Sequence, residues 1–171
     1  MKKVPLDDPR AKHMSSDVEV DLAGLIAFVT GKNRWILSTT RRDGRPQMSL
    51  VTGTITPEGE LLISTYPQRV KTQNAKRNPL VSVAVMGDEF NAEWVQIDGE
   101  AAVLDMPDAA DGLVEYFRHI RGEHSDWDEY RQAMADQGKS IIRIAPTRWG
   151  PVSKGGFPPS LFEDPSSDEA P

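Results

Sequence analysis

Hydrophobic positions along the chain change period twice. From Val18 they fall at helical spacing, through Leu22, Leu25, Ile26 and Val29, and stop at Gly31. Ser16-Asp17-Val18-Glu19 has the S-x-x-E form of a capping box, so the spacing predicts a first helix entered at Ser16. From Arg34 onward the pattern shifts to short runs rich in β-branched residues, each closed by a turn signal. RWILSTTR runs into Asp43-Gly44, PQMSLVTGTIT into Pro57-Glu58-Gly59 and ELLISTY into Pro67, which predicts a three-stranded meander. Arg69 to Asn78 predicts a short helix stopped by Asn78-Pro79. Leu80 to Met86 and Glu93 to Leu104 predict two further strands, the second bent or bulged at Gly99.

Leu113, Tyr116, Phe117 and Ile120 then repeat at three and four, as do Trp127, Tyr130, Arg131 and Met134 beyond Gly122, predicting two packed helices. SIIRIAPTRW returns to the sheet as a sixth strand. Six mostly antiparallel strands with helices inserted late predict a mainly β, α+β fold: a six-stranded antiparallel barrel flanked by helices, able to hold a ligand at its mouth or in a dimer groove. The 171 residues suit one domain, placed at 16–157. Residues 1–15 and the acidic stretch 158–171 carry Pro, Ser and charge without an apolar period and are expected to be loose ends.

Composition narrows the chemistry. Cysteine is absent, which removes disulfides, thiolate metal sites and cysteine nucleophiles. The three histidines include one pair, His119 and His124, spaced poorly for a metal, so no metal site is expected. No G-x-S-x-G, Walker or Rossmann glycine pattern occurs, so any chemistry belongs to a bound cofactor, and no catalytic side chain is assigned. With no apolar run near the ~20 residues of a membrane span and no apolar stretch behind the two early lysines, the expectation is a cytoplasmic protein without a membrane span.

Charge is segmental within the net −6. Residues 32–77 hold nine bases, Lys32, Arg34, Arg41, Arg42, Arg45, Arg69, Lys71, Lys76 and Arg77, against three acids, Asp43, Glu58 and Glu60. Residues 88–136 are acidic. The overall sign disfavours nucleic acid as a partner, while a compact anion suits the basic segment. Within it, Ser64 to Asn74 combines hydroxyls at a strand end, Arg69 and Lys71 two apart, and a helix N-terminus, the mixture a phosphate needs. An ordinary helix cap with two exposed cations has the same sequence, and residue physics alone leaves both readings open.

The order of elements and three local motifs resemble the split β-barrel flavin and deazaflavin proteins related to pyridoxamine 5'-phosphate oxidase, over about residues 20–150. ILSTTRRDGRPQMSLV resembles the first hairpin of that family and RVKTQNAKRNPLVSVAV its phosphate-binding strand-helix-strand. RGEHSDWDEYRQAM is similar to a stretch of its actinobacterial branch, which uses coenzyme F420. The resemblance implies an FMN-binding-protein-like fold, with Arg69 and Lys71 on the cofactor phosphate, Ser64, Thr65 and Thr72 as hydroxyl donors and Asn74 bracing the loop. It puts Gln47, Met48 and Ser49 along the ring. It also implies a homodimer in which Trp94 and Gln96 reach the cofactor of the other copy; core or dimer packing is the other reading of Trp94.

The activity so implied is an F420H2-dependent reductase acting on an unsaturated small molecule. An FMN-dependent oxidase or reductase and a non-catalytic flavin or haem carrier are the alternatives on the same barrel. RWGPVSKGGFPP has no clear counterpart to the substrate contacts of the vitamin-making oxidase, which points away from pyridoxamine phosphate; Arg148 and Trp149 are candidates for contacts to another substrate.

Overall fold

The computed structural model of the chain describes residues 3–89 and 91–163. Its strands are β1 (Ser16–Val18), β2 (Arg34–Thr40), β3 (Pro46–Ile55), β4 (Leu61–Thr65), β5 (Leu80–Met86), β6 (Trp94–Asp105), β7 (Ser140–Trp149) and β8 (Val152–Lys154). The helices are α1 (Leu22–Val29), α2 (Val70–Arg77), α3 (Ala110–Arg121) and α4 (Trp127–Asp136). Strand order β6-β5-β2-β3-β4-β7 closes on itself through the β6–β7 pairing, giving the expected six-stranded antiparallel barrel; β8 and β1 extend it from β6.

Strand periodicity fills the barrel. In β2, Trp35, Leu37 and Thr39 point inward and are buried, while Ile36, Ser38 and Thr40 face outward. Val83 and Val85 of β5, Val95 and Ile97 of β6 and Ile142 and Ile144 of β7 meet them in one core. A second core forms outside the barrel, where Leu62 and Ile141 pack against Ala109 and Leu113 of the α3 end. The bend expected at Gly99 is a register shift between β6 and β7 at Asp98/Gly99. No helix among the described residues is long and apolar enough to cross a membrane.

The N-terminal reading needs correction. Ser16 does not start a helix: Ser16–Val18 is a strand paired with Val152–Lys154, and Asp21 caps α1 instead, its carboxylate accepting the Gly24 N–H at 2.8 Å. Both residue types suit an N-cap, and the β8 edge decides between them. The end segments expected to be loose also meet where they are described. Val4 N–H donates to Leu161 O (2.9 Å), Glu163 N–H to Val4 O (3.0 Å) and Phe157 N–H to His13 O (2.8 Å), with Val4 and Phe162 buried beneath the clasp. Among the described residues of the two segments only Val4 and Phe162 are buried, too few to set an apolar period. Residues 164–171 lie outside the described part.

Gly53 on β3 is set by contact rather than by torsion. A Cβ there would lie 2.0 Å from the Trp35 ring, whose indole N–H is fixed to Lys32 O at 2.6 Å. Gly53→Ala is therefore expected to destabilise the protein by about 1–3 kcal/mol, read as a lowered urea midpoint at unchanged slope, because the buried ring cannot move aside without overpacking. An unchanged midpoint would show that the barrel end is loosely packed.

Candidate functional site

The β4–α2 connection is built to be rigid. The Thr65 and Thr72 hydroxyls, both buried, lie 3.0 Å apart and tie the end of β4 to the first turn of α2. Asn74, also buried, donates to Thr39 Oγ1 at 3.1 Å and accepts from Arg77 at 2.9 Å, while the Arg77 guanidinium donates to Thr40 O at 2.6 Å. These bonds pin α2 across β2, with Gln73 reaching back to Pro67 O at 2.6 Å. The side chains of half-buried Ser64 and Lys71 and of exposed Arg69 make no hydrogen bond among the described residues.

Two cavities flank α2. One, of about 480 Å³, runs from Ser64 and Lys71 along Leu50, Val51 and Thr52 of β3, and is walled by Tyr116, Phe117 and other residues of the α3–α4 hairpin. The other, of about 600 Å³, lies on the opposite side of the helix, where Arg41, Arg42, Lys76 and Arg77 converge. Among the described residues neither wall contains an Asp or Glu, in a chain that carries 26 of them. Lys76 is paired to Asp105, and Arg77 is held by Asn74; Arg41 and Arg42 make no ion pair among the described residues. Burial, and after it the neighbouring Arg69 charge, hold the Lys71 ammonium below the usual lysine range.

The hydroxyls of Thr65 and Thr72 bond each other, and neither residue is among those lining the two cavities. Arg69 is exposed and caps α2 through its carbonyl, which accepts Gln73 N–H at 3.0 Å. Gln47 and Ser49 share the inward face with Thr39 and Leu37, and Gln47 donates to Met48 O at 2.7 Å and to Ser49 Oγ at 3.2 Å, leaving its Oε1 buried without a partner. Met48 alone of these three turns its side chain outward. Trp94 and Gln96 stand on the outer face of β6, three strands from β3, a separation of about 14 Å at ~4.8 Å per strand. In one protomer they do not meet Lys71. Gln96 donates to Asp98 at 3.0 Å, and Asp98, bonded also by Ser82 at 2.7 Å, is held below the usual carboxylate range first by Ser82 and then by Gln96.

Sequence reasoning missed the far wall. Tyr116 spans the cavity, its hydroxyl donating to Thr52 O at 3.2 Å, and burial raises its phenol above the usual tyrosine value. Phe117, His124, Trp127 and Tyr130 stack into one cluster with ring centres 5.0–5.8 Å apart, which fixes the α3–α4 hairpin. Lys139 enters the same cavity, its ammonium 4.0 Å from the centre of the Tyr66 ring. Helical spacing made Tyr116 and Tyr130 visible as apolar positions; nothing local marked Lys139. Trp149 belongs to the fold rather than to a substrate contact: it packs against the main core and its indole donates to Val20 O at 2.8 Å.

A phosphate-bearing, planar ligand fits this lining, because Lys71 and Lys139 bring cations and Ser64 a hydroxyl donor to a groove that Leu50, Val51, Tyr116 and Phe117 line with aliphatic and aromatic side chains. The sequence model of pyridoxamine 5'-phosphate oxidase matches residues 25–153, the whole barrel with this site in it. The chain belongs to the pyridoxamine 5'-phosphate oxidase family. Solved structures share the oxidase-like split barrel at low identity. A conserved hypothetical protein from Mycobacterium tuberculosis superposes with a TM-score of 0.65 at 23% identity, covering 82% of this chain and 88% of the other. An F420 reductase gives 0.55 at 19% identity, covering 72% and 93%. A heme storage protein from Vibrio cholerae gives 0.56 at 20%, covering 79% and 95%. These relatives establish the fold, and the family's flavin-binding barrel frames the site.

Proposed function

We propose that the protein is an F420H2-dependent reductase that works as a homodimer on an unsaturated small molecule. The observation that carries this reading is the pair of cavities on either side of α2, with basic residues and no Asp or Glu among their described lining residues, in a chain of net charge −6. Coenzyme F420 carries a ring, a phosphate and an oligoglutamate tail, in that order. The groove along Leu50 to Thr52 suits the ring, Ser64, Lys71 and Lys139 the phosphate, and Arg41, Arg42, Lys76 and Arg77 the tail. FMN would use the first two regions and leave the third without a role. Pyridoxamine phosphate oxidation has no support from the chain's C-terminal residues. That one fold relative is an F420 reductase agrees with the reading, and that another stores heme keeps a carrier role as the alternative to test.

When bound, the reduced deazaflavin supplies a hydride, so the chain's own task is to orient and enclose. Lys71 and Ser64 fix the phosphate end, the rigid β4–α2 link holds them in register with β3, and Tyr116 and Phe117 shield the groove from water. The outer face of β3, β2, β5 and β6 exposes Met48 (67%), Leu50 (82%) and Trp94 (41%), an apolar sheet face of the kind a second copy covers. In such a dimer Trp94 and Gln96 approach the ring bound by the other copy.

The tail assignment has its own signature. Arg41→Ala combined with Arg42→Ala is expected to weaken F420 binding by about 2- to 10-fold at low salt, leave FMN binding unchanged, and lose its effect above ~0.15 M salt, since exposed pairs are weak and screened. Equal loss for both cofactors would move the tail elsewhere. Activity is tested by following reoxidation of reduced F420 against enones, quinones, nitro compounds and linear tetrapyrroles. Turnover with at least one class is expected; none at all, with FMN copurifying and cycling, would overturn the reductase reading.

A further inference from the structure

We propose that a second groove on the outer face of β3, between Leu50 and Met86 and ending at Arg34, binds the molecule being reduced, and that it selects planar apolar acceptors bearing a carboxylate. The proposal rests on the cofactor reading of the neighbouring cavity. Leu50, Val51 and Thr52 line both spaces, so the groove, of about 330 Å³, continues the cofactor cavity on the side away from Lys71. A ring lying along β3 would have its phosphate at one end and this groove at the other. The volume lies at the small end of the range for small-molecule sites.

Strand register brings the wall together. Arg34 pairs with Thr52, and the Trp35–Val85 pairing sets Met86 beside Arg34 on the outer face. Leu50 and Met86 give an apolar wall, and the methionine adapts to ligand shape. Arg34 is the one charged residue among the described lining residues. Its guanidinium makes a single long bond, to Asp88 O at 3.4 Å, and no carboxylate lies within ion-pair distance of it among the described residues, although acids outnumber bases 26 to 20. A forked donor at the end of an apolar slot matches a carboxylate in charge and in geometry. A second copy seated on the same sheet face would close the open side and strengthen that contact by excluding water.

The test uses trans-3-benzoylacrylate, a planar enone with a carboxylate, and its neutral amide, titrated by NMR into the full chain with and without F420. The wild type is expected to bind the carboxylate about tenfold more tightly than the amide, the size of one charge-assisted contact. Arg34→Ala should erase that preference while leaving F420 affinity unchanged, Arg34→Lys should keep part of it, and Met86→Ala should weaken both probes alike. Equal affinity for the two probes, or a preference that survives Arg34→Ala, would overturn the subsite. Loss of F420 binding in Arg34→Ala would overturn it too, by assigning the residue to the cofactor. A wild type that binds no F420 yet shows the Arg34-dependent preference would retain the subsite and defeat the reductase reading instead.

Discussion

Replacing Lys71 with Ala is expected to weaken binding of F420 by about 10- to 100-fold, the 1–3 kcal/mol typical of a lost charge-assisted contact. Lys71 is half-buried, with Ser64 and Lys139 in the same cavity wall and no acid paired with it among the described residues, so an anion is the partner its position calls for. Its depressed pKa gives the prediction a second arm. An anion meets the protonated ammonium and raises its pKa, so affinity is level at low pH and falls as pH rises through the pKa of the free protein. Because that pKa lies below the usual lysine value, the fall begins earlier than for an exposed lysine. Lys71→Arg should bind without this alkaline fall, since a guanidinium does not titrate there. Folding, by contrast, gains nothing from the charge. The unfolded chain holds the proton more tightly than the folded one, so stability rises with pH through this group and Lys71→Ala should not lower the melting temperature. Unchanged affinity in Lys71→Ala, with a flat pH profile in the wild type, would reduce Lys71 to a solvated helix-cap cation.

Leu50→Asp should convert the protein from dimer to monomer at micromolar concentration in sedimentation runs. Leu50 is exposed in the protomer and central to the outer sheet face, opposite Ile36 and two residues from Met48. In a two-fold interface each copy contributes the same face, so one substitution buries two carboxylates without partners. Each would cost several kcal/mol, enough to abolish association in the micromolar range. The protomer itself should still fold, because no side chain of its core rests on Leu50. A wild type that sediments as a monomer while binding cofactor, or a Leu50→Asp variant that stays dimeric, would remove Trp94 and Gln96 from the site.

How much of this was legible beforehand follows from how local each signal is. The barrel strands announced themselves because their inward faces alternate, as in Trp35, Leu37 and Thr39, and because turn residues such as Asp43-Gly44 close each run. The register shift at Gly99 was readable from a lone glycine within a strand. Ser16 was misread because a capping residue and a residue in a short edge strand look alike until the partner strand, 136 residues later, is known. The same holds at the site. Ser64 and Lys71 stand in one segment and could be found together, whereas Tyr116 and Lys139 reach the cavity only through tertiary packing. Nothing in the sequence says that the Thr65 and Thr72 hydroxyls, seven residues apart, will bond each other.

The central claim, that this barrel holds a deazaflavin with its tail among Arg41, Arg42, Lys76 and Arg77, is tested most directly by titrating the full chain in parallel with F420 and with FMN at low ionic strength. Tighter binding of F420, with the advantage shrinking as salt rises past ~0.15 M, where the Debye length is about 8 Å, is the predicted result. FMN binding as tightly or more tightly, with no dependence of the difference on salt, would contradict it.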